Sequence, residues 1–386
     1  MEFLVLGCGN IGYAIIKDLS RSKIATEIIA VDINPESLRK IEQEFKDVVK
    51  CIKADVRNED LLMNLMRKAD VIIDALPGKF GYYIMKTAIK VKRDLVDVTY
   101  MPENPLELDA DAKKNKVLIV PDAGFAPGIS NLCVGYAVSK LDEVEKVRIL
   151  VGGIPETNIP PLGYCLTWSA IDLIEEYTRL VRIVRNGEEV KVEPLSGLEL
   201  IDFEGIGTLE AFYTDGLRTL LYTIKARDME EKTLRWPGHA EKIKLLRELG
   251  LMSDEVIEIH GIKIIAKEFL AKFLEKKLTC KEIRDLAILR VIVNGFKDNS
   301  QVTYMFNLIA RYDEREKMTA MMKTTGFTAS IISQLIANGE IPDKGVVPME
   351  LIGMNEKLFH KIISEFSKRG INLRLEVSRI PPGLSL

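Results

Sequence analysis

Short apolar runs alternate with amphipathic stretches through the first 122 residues, and this alternation constrains the fold more than any other feature of the sequence. Strands separated by helical segments of this length pair in parallel, and helices then cover both faces of the sheet. The alternation therefore predicts an α/β fold in which residues 1–122 form a Rossmann-type, doubly wound parallel sheet. The predicted strands lie at residues 3–6, 28–32, 51–55, 70–76, 94–99 and 117–122.

The chain from residue 123 onward has a different texture, which predicts a second, α+β domain with an open mixed or antiparallel sheet. Asn186-Gly187 lies between two β-rich segments, and Asn-Gly is the preferred dipeptide of a two-residue hairpin turn. Residues 289–311 predict another hairpin. The tail is helical again, and Thr325 is expected to cap a helix there.

Charge and hydropathy narrow the classes of partner that we expect. The net charge at pH 7 is −3 and no basic patch is evident, so nucleic acid is not an expected partner. The sequence opens directly into a strand and contains no apolar run of membrane length, which predicts a cytoplasmic protein without a membrane partner. No Cys/His spacing indicates a metal site. Cysteines without a CxxC pair predict reduced, buried thiols, at positions 8, 51, 133, 165 and 280.

A glycine-rich turn follows the first predicted strand and opens a helix, which is the context of a dinucleotide-binding site. Gly7 permits the tight turn, Gly9 lets the backbone approach a pyrophosphate, and Gly12 lets the helix pack closely on the strand. Asn10 and Ile11 begin the helix, whose N-terminus attracts the anion. A plain glycine-rich turn without a ligand is the alternative.

The cofactor expected at this turn is NAD, with NADP less favoured. Asp32 ends the second strand, where a carboxylate binds the ribose 2′-hydroxyl of NAD and repels the 2′-phosphate of NADP. Asp55 ends the third strand and is expected either beside the adenine or as a helix cap. Because ligands lie beyond the carboxyl ends of parallel strands, we expect the dinucleotide to contact the end of the fourth strand, at Ala75, Leu76 and Pro77.

Segments spread over nearly the whole chain resemble the saccharopine dehydrogenase superfamily. TLRWPGH at residues 233–239 and PDAGFAPG at residues 121–128 are far more discriminating than the glycine turn. Residues 252–287 are the least similar to the family. The matching segments lie, in order, at residues 6–12, 96–108, 120–131, 150–162, 186–196, 209–219, 233–250 and 324–339.

The resemblance implies both an architecture and an activity. Helices at about residues 324–386 would complete the dinucleotide-binding domain, and residues 123–323 would form a substrate-binding and dimerisation domain of a homodimer. Members of the superfamily transfer hydride across a carbon–nitrogen bond of a small amine or amino acid. The branch with the greatest resemblance uses NAD to deaminate the ε-carbon of L-lysine, and the aldehyde product cyclises. Alternatives are dehydrogenation of saccharopine or carboxynorspermidine and, in another class, an NAD-binding sensor without turnover.

Such a reaction needs a neutral amine, because the nitrogen lone pair must assist the loss of hydride. The amine of lysine has a pKa of about 10.4, so its deprotonation at neutral pH costs roughly 4–5 kcal/mol. The site must therefore lower that pKa or supply a base. Arg235 is suited to bind the substrate carboxylate, His239 is a candidate base or proton relay, and Trp236 is expected to line the pocket. Alternatively, Arg235 pairs with a structural acid and His239 caps the following helix.

Three further residues are less specific candidates. Arg218 follows an Asp-Gly turn and is a second candidate contact for a carboxylate. Asp122 ends a strand and is expected to hold an ammonium group or orient water, with a cap on the helix starting near Pro127 as the alternative. Tyr100 ends the fifth strand and is expected to reach the nicotinamide, with simple packing as the alternative.

Overall fold

The computed structural model describes residues 1–279 and 283–381, which form two compact units. The first unit consists of Met1–Ser139 and Met322–Ile371, and the second consists of Lys140–Met321 and the residues from Asn372. The first unit thus extends beyond the boundary that we expected at residue 122. The tail is divided, since its helices belong to the first unit and its last strand to the second.

The first unit is built on a seven-stranded parallel sheet, so the predicted doubly wound α/β fold is confirmed. Elements are numbered in chain order. The strands are β1 (Glu2–Leu6), β2 (Glu27–Asp32), β3 (Val49–Lys53), β4 (Val71–Asp74), β5 (Asp94–Asp97), β6 (Leu118–Val120) and β17 (Gly345–Val346). Their spatial order is β17-β6-β5-β4-β1-β2-β3, so the order reverses between β1 and β4. Ligands of open α/β sheets bind beyond the strand ends at such a reversal.

Helices pack beside this sheet, and their first residues follow local capping rules. Asn34 accepts a hydrogen bond from Glu36 N at 2.9 Å before a helix with Pro35 in its first turn, and Asn58 accepts one from Leu61 N at 3.2 Å. Thr325 is not a cap, because its helix begins earlier. The helices are α1 (Asn10–Leu19), α2 (Pro35–Phe45), α3 (Glu59–Met66), α4 (Gly81–Val91), α5 (Asp109–Asn115), α6 (Ile129–Val138), α11 (Ala320–Ala337), α12 (Met349–Met354) and α13 (Glu356–Lys368).

The second unit contains a nine-stranded mixed sheet, and the predicted α+β domain is therefore confirmed. Strands β12 and β7 run parallel at its centre, and the other neighbours pair antiparallel. The main order is β10-β11-β12-β7-β15-β16-β18, and the β8–β9 hairpin joins β12. The strands are β7 (Glu143–Pro155), β8 (Val181–Arg185), β9 (Glu188–Val192), β10 (Glu199–Phe203), β11 (Gly207–Tyr213), β12 (Asp228–Arg235), β15 (Asp285–Lys297), β16 (Ser300–Arg311) and β18 (Leu373–Ile380).

Both predicted hairpins are confirmed. Asn186 and Gly187 join β8 to β9 with φ angles of 51° and 83°, and Asp298 and Asn299 join β15 to β16 with φ angles of 50° and 59°. Positive φ at both central residues is typical of the turn whose twist matches that of antiparallel strands. The unit also contains a separate two-stranded sheet, of β13 (Val256–Ile259) and β14 (Ile262–Ile265). Its helices are α7 (Ala170–Thr178), α8 (Leu220–Thr223), α9 (His239–Glu248) and α10 (Ala266–Leu278).

The cysteines depart in part from expectation. Cys8 and Cys133 are free and buried, and Cys51 is free and half-buried. The prediction of reduced thiols is wrong for Cys165, which is disulfide-bonded. Cys280 lies outside the described residues. Among the residues that the structure covers, no helix is long and apolar enough to cross a membrane.

A close helix contact in the first unit gives a testable consequence. Gly135 lies in α6, and a methyl group added there would lie 1.9 Å from the carbonyl oxygen of Glu350 in α12. Ala would ordinarily favour a helix by about 1 kcal/mol over Gly. We expect Gly135→Ala instead to lower the free energy of unfolding by about 1–3 kcal/mol, because the added methyl overpacks the contact.

The measurement is the midpoint of denaturant unfolding, followed by circular dichroism. Gly9→Ala is the matched control, because a methyl group there meets no atom within 4 Å and should leave the midpoint unchanged. A Gly135→Ala protein as stable as the wild type would contradict the close contact.

Candidate functional site

The glycine turn between β1 and α1 has the geometry that a dinucleotide needs. Gly7 has a φ of 90°, and a methyl group added to it would lie 2.6 Å from the carbonyl oxygen of Ala75. A methyl group on Gly12 would lie 1.8 Å from the carbonyl oxygen of Gly7, whereas one on Gly9 would meet open space. Helix α1 begins at Asn10, and its N-cap residue Gly9 has no side chain to cap the first turn. Side chains are therefore excluded at Gly7 and Gly12, whereas Gly9 lies in open space, and binding of a pyrophosphate there stays a prediction.

Asp32 is fixed beside this turn at the end of β2. Its Oδ2 accepts a hydrogen bond from the Cys8 N–H at 2.7 Å, and its Oδ1 accepts one from the Asn34 N–H at 2.7 Å. A carboxylate consequently stands next to the glycine turn, as binding of a ribose hydroxyl requires. Asp55 accepts hydrogen bonds from Arg57, which lower the pKa of Asp55 to about 2, and the cap of α3 is Asn58. A contact between Asp55 and the adenine stays a prediction.

Buried carboxyl groups follow β4, β5 and β6 at the edge of the sheet where ligands are expected. Asp74 and Asp97 are fully buried, and Asp122 is 2% exposed. Asp74 accepts a hydrogen bond from the Leu76 N–H at 3.0 Å, and Asp97 accepts one from the Thr99 N–H at 3.0 Å. Burial raises the pKa of Asp74 to about 7. Burial, followed by the charges of Asp74 and Asp122, raises the pKa of Asp97 well above its usual value.

These hydrogen bonds fix the loops that leave β4 and β5. Asp74 therefore shapes the predicted cofactor contacts at Ala75, Leu76 and Pro77, although the sequence analysis did not single it out. Tyr100 lies half-buried in the loop after β5, three residues beyond the strand end, and its role stays a prediction.

Asp122 has left-handed backbone geometry, with a φ of 53°. Helix α6 begins at Ile129 after Gly128, which as a glycine has no side chain to cap the helix, and both interpretations of Asp122 stay predictions. The sheet edge of the first unit thus presents a glycine turn, a fixed surface carboxylate and a buried acidic cluster.

Arg235 ends β12 in the second unit and is 3% exposed. Its Nε donates to the Tyr177 hydroxyl at 3.0 Å, and its Nη2 donates to Glu176 Oε2 at 3.1 Å and Oε1 at 3.3 Å. The Tyr164 ring lies 4.9 Å from the guanidinium carbon. Arg235 therefore pairs with an acid of its own unit, as the alternative interpretation expected. A substrate carboxylate at Arg235 would have to share or replace these hydrogen bonds.

His239 is held on both ring nitrogens. Nδ1 lies 2.8 Å from the Leu162 carbonyl oxygen and Nε2 lies 2.9 Å from the Tyr177 hydroxyl. Because a carbonyl only accepts, Nδ1 carries the proton and Nε2 accepts from Tyr177. Burial, and then the charge of Arg235, lowers the pKa of His239 to about 3. His239 is therefore a neutral imidazole whose lone pair is occupied, and the predicted direct base would have to act through Tyr177.

Neighbouring residues of the motif have structural partners. The cap of α9 is the carboxylate of Glu210, which accepts from the N–H groups of Gly238 at 2.8 Å and Ala240 at 2.5 Å. The capping alternative for His239 is thus wrong. Trp236 donates from Nε1 to the Pro155 carbonyl oxygen at 2.9 Å and is half-buried. Arg218 is 3% exposed, with a φ of 53° after the expected turn.

The sequence analysis missed two of the residues that organise this arrangement. Glu176 and Tyr177 both lie on α7, in the ordinary helical sequence AIDLIEEYT. An acidic residue beside a buried tyrosine on an amphipathic helix was the available signal, but nothing local tied it to Arg235. Among the described residues, no group of three or more His, Cys, Asp or Glu could hold a metal ion.

Comparisons with known proteins agree with both units. The model of the saccharopine dehydrogenase NADP-binding domain matches residues 3–120, and that of the saccharopine dehydrogenase C-terminal domain matches residues 124–371. The chain is 29% identical over 295 residues to a saccharopine dehydrogenase (NADP⁺, L-glutamate-forming) of Saccharomyces cerevisiae. This match covers 72% of the chain and 65% of the relative, so just under two thirds of the relative is spanned.

Other similarities are more distant. An α-aminoadipic semialdehyde synthase of Arabidopsis thaliana is 23% identical over 277 residues, which is 67% of this chain and 26% of that protein. The structure of an apo saccharopine dehydrogenase (L-Glu forming) from Saccharomyces cerevisiae superimposes with a TM-score of 0.80 at 18% identity, covering 98% of this chain and 99% of that one. The fold is therefore shared. Since family models cover both units, the chain belongs to the saccharopine dehydrogenase family of nicotinamide-dependent oxidoreductases.

Proposed function

We propose that this protein is a nicotinamide-dependent dehydrogenase that oxidises a carbon–nitrogen bond of an amino-acid substrate. The observation that carries the proposal is the family match over both units, on a chain whose glycine turn has room for a pyrophosphate. When bound, the nicotinamide accepts the hydride. The residues of the chain bind the substrate and handle its protons. The names of the curated relatives support saccharopine, a secondary amine, as the substrate.

Oxidative deamination of the ε-amino group of L-lysine is the second candidate, and the environment of Arg235 favours it. Saccharopine carries several carboxylates, whereas lysine carries one. The charge of Arg235 is already balanced by Glu176, which leaves little net positive charge for a substrate with several carboxylates. Arg218, buried in the same unit, is the candidate second cation for saccharopine.

We assign proton transfer to buried groups on the two units. The neutral ring of His239 can pass a proton only through the Tyr177 hydroxyl, so it acts as a relay partner rather than a direct base. Asp122 belongs to the buried carboxyl cluster and is the candidate acceptor for the proton of the substrate amine. A neutral amine is the reactive form in either candidate reaction.

A substrate panel tests the proposal. The protein is mixed with NAD or NADP and with saccharopine, lysine, ornithine or a diamine, and the absorbance of reduced nicotinamide is followed. We expect turnover with saccharopine or lysine, with a rate that rises from neutral pH toward about pH 10, because the free amine titrates in that range. Turnover of lysine alone would select the second candidate. Binding of a dinucleotide without turnover of any amine would contradict the proposal and support a sensor.

We propose NAD as the preferred cofactor, on the position of Asp32. The family model and the curated relatives are named for NADP, so this chain would differ from them. The carboxylate of Asp32 is held by two backbone N–H groups and cannot easily turn away from a 2′-phosphate. Repulsion between these two anions is the physical basis of the preference.

Titration of the two dinucleotides into the protein, followed by tryptophan fluorescence, tests this preference. We expect NAD to bind at least about tenfold more tightly than NADP, which corresponds to about 1.4 kcal/mol. Asp32→Ala should weaken NAD and strengthen NADP, because it removes both the ribose acceptor and the repulsion. Asp55→Ala is the control, and it should leave the ratio of the NAD and NADP dissociation constants unchanged. Tighter binding of NADP by the wild type would contradict the assignment.

We also propose a homodimer, formed through the free edge of β18. This strand pairs only with β16 among the described residues, and its Leu375 and Val377 are 37% and 54% exposed. An exposed apolar edge strand is a template for pairing. If two copies pair antiparallel with Leu375 opposite Leu375, Arg374 lies opposite Glu376 and Leu373 lies opposite Val377. Neither Arg374 nor Glu376 has an ion-pair partner within 4 Å in the described part of the chain, so the register satisfies both charges.

Light scattering of the full chain tests this dimer. We expect twice the 43.5 kDa mass of one chain. Arg374→Glu should raise the dissociation constant roughly tenfold, because two cross-strand attractions become repulsions. The double change Arg374→Glu with Glu376→Arg should restore the dimer. Glu258→Arg, on the exposed strand β13, is the control. A monomeric wild type, or a dimer sensitive only to the control, would contradict the proposed edge.

A further inference from the structure

Four oxygen atoms, three of them on buried residues, form a chain that ends beside Arg235. Glu231 Oε2 lies 2.7 Å from the Thr214 hydroxyl, which lies 2.8 Å from the Thr233 hydroxyl. The Thr233 hydroxyl lies 2.8 Å from Glu176 Oε1, and Glu176 binds Arg235. Glu231, Thr214 and Thr233 are each at most 3% exposed. Water therefore has little access to this chain.

The number of protons in the chain limits its protonation state. Each of the three short contacts is a hydrogen bond only if a proton lies between its two oxygens. The hydroxyls of Thr214 and Thr233 supply one proton each, which leaves one contact without a proton if both carboxyl groups are ionised. One of the two carboxyl groups must therefore be a neutral acid.

The surroundings locate the third proton on Glu231. Both oxygens of Glu176 accept hydrogen bonds from the guanidinium of Arg235, so Glu176 is the carboxylate. The charged groups that act on Glu231 are Glu176, Asp215 and Arg235, and Asp215 is itself paired with Arg182 at 2.9 Å. Burial raises the pKa of Glu231 well above 4.5, and the charges of Glu176 and Asp215 raise it further. The hydrogen bonds thus run from Glu231 to Thr214, from Thr214 to Thr233 and from Thr233 to Glu176.

We propose that Glu231 is a positioning residue whose proton sets the direction of this chain and thereby holds Glu176 and Arg235 in place for the substrate carboxylate. The link to a substrate rests on the function proposed above, whereas the proton on Glu231 does not. If Glu231 ionises, the oxygens of Thr214 and Thr233 face each other at 2.8 Å without a proton between them. The chain then opens between Thr214 and Thr233, Glu176 loses its connection to Glu231, and the guanidinium of Arg235 is held less firmly.

The effect of pH has a definite sign. The folded-state pKa of Glu231 lies above its ordinary value of 4.5. Its contribution to stability is therefore fully present below pH 4.5 and is lost as the pH rises through the raised pKa. Glu231→Gln keeps a donor to Thr214, because its amide N–H replaces the acid O–H, but it does not titrate.

Infrared spectroscopy of the full-length protein tests the proton directly, without any substrate. At neutral pH we expect the carboxylic-acid C=O band of the wild type to lose one component in Glu231→Gln. Glu376→Gln, at an exposed position, should lose none. Should Glu231→Gln fail to fold, Thr214→Val is the second variant, and the acid band should shift because Glu231 loses its acceptor. An acid band that neither loses a component nor shifts would overturn the protonation of Glu231.

Kinetics test the positioning role. At high pH the wild-type KM for the amino-acid substrate should exceed the KM of Glu231→Gln measured at the same pH by a factor that grows to roughly tenfold or more, as one charge-assisted hydrogen bond at Arg235 is lost. Titration of the substrate amine affects both proteins alike and cancels in this ratio. A KM of Glu231→Gln that follows the wild type would overturn the role. Absence of turnover in every protein would instead reject the proposed function, and the infrared result would still decide the proton.

Discussion

Strand β12 places a run of charged side chains where water does not reach them, and pairing those charges is the constraint on which the second unit depends. Glu230, Lys232 and Arg235 are each at most 5% exposed. A buried charge without a partner costs several kcal/mol, so each needs a partner from another element. The partners are Arg185 of β8 for Glu230, Glu199 of β10 for Lys232 and Glu176 of α7 for Arg235. Glu231 lies on the same strand and meets the constraint differently, by keeping its proton.

The features that could be predicted from the sequence are those whose roles depend on nearby residues of the chain. The glycine turn and Asp32 could be predicted because their roles depend on neighbours in the chain, and the Asn186-Gly187 hairpin is equally local. Glu176 and Glu231 could not, because each acquires its role from residues tens of positions away. The sequence shows Asp74 at the end of an apolar strand, but the raised pKa of Asp74 could not be predicted, because it arises from burial in the folded sheet.

The two units differ in which of their buried groups are charged and which are neutral. In the first unit the N-cap residue of α1 is a glycine, and buried carboxyl groups with raised pKa values lie at the edge of the sheet. The second keeps Arg235 charged yet balanced, and keeps His239 neutral. The proposed dehydrogenase would use these features as an anion site for the dinucleotide, as groups that exchange protons, and as a cation for the substrate carboxylate.

Transfer of hydride from a nitrogen-bonded carbon of the substrate to the dinucleotide is tested most directly with a deuterated substrate. The protein would be incubated with NAD and with lysine or saccharopine that carries deuterium on the carbons bonded to the reacting nitrogen. The reduced dinucleotide would then be isolated and its mass determined. The proposed reaction predicts that the reduced dinucleotide carries deuterium from one of the two substrates. Reduced dinucleotide without deuterium from either substrate would contradict it.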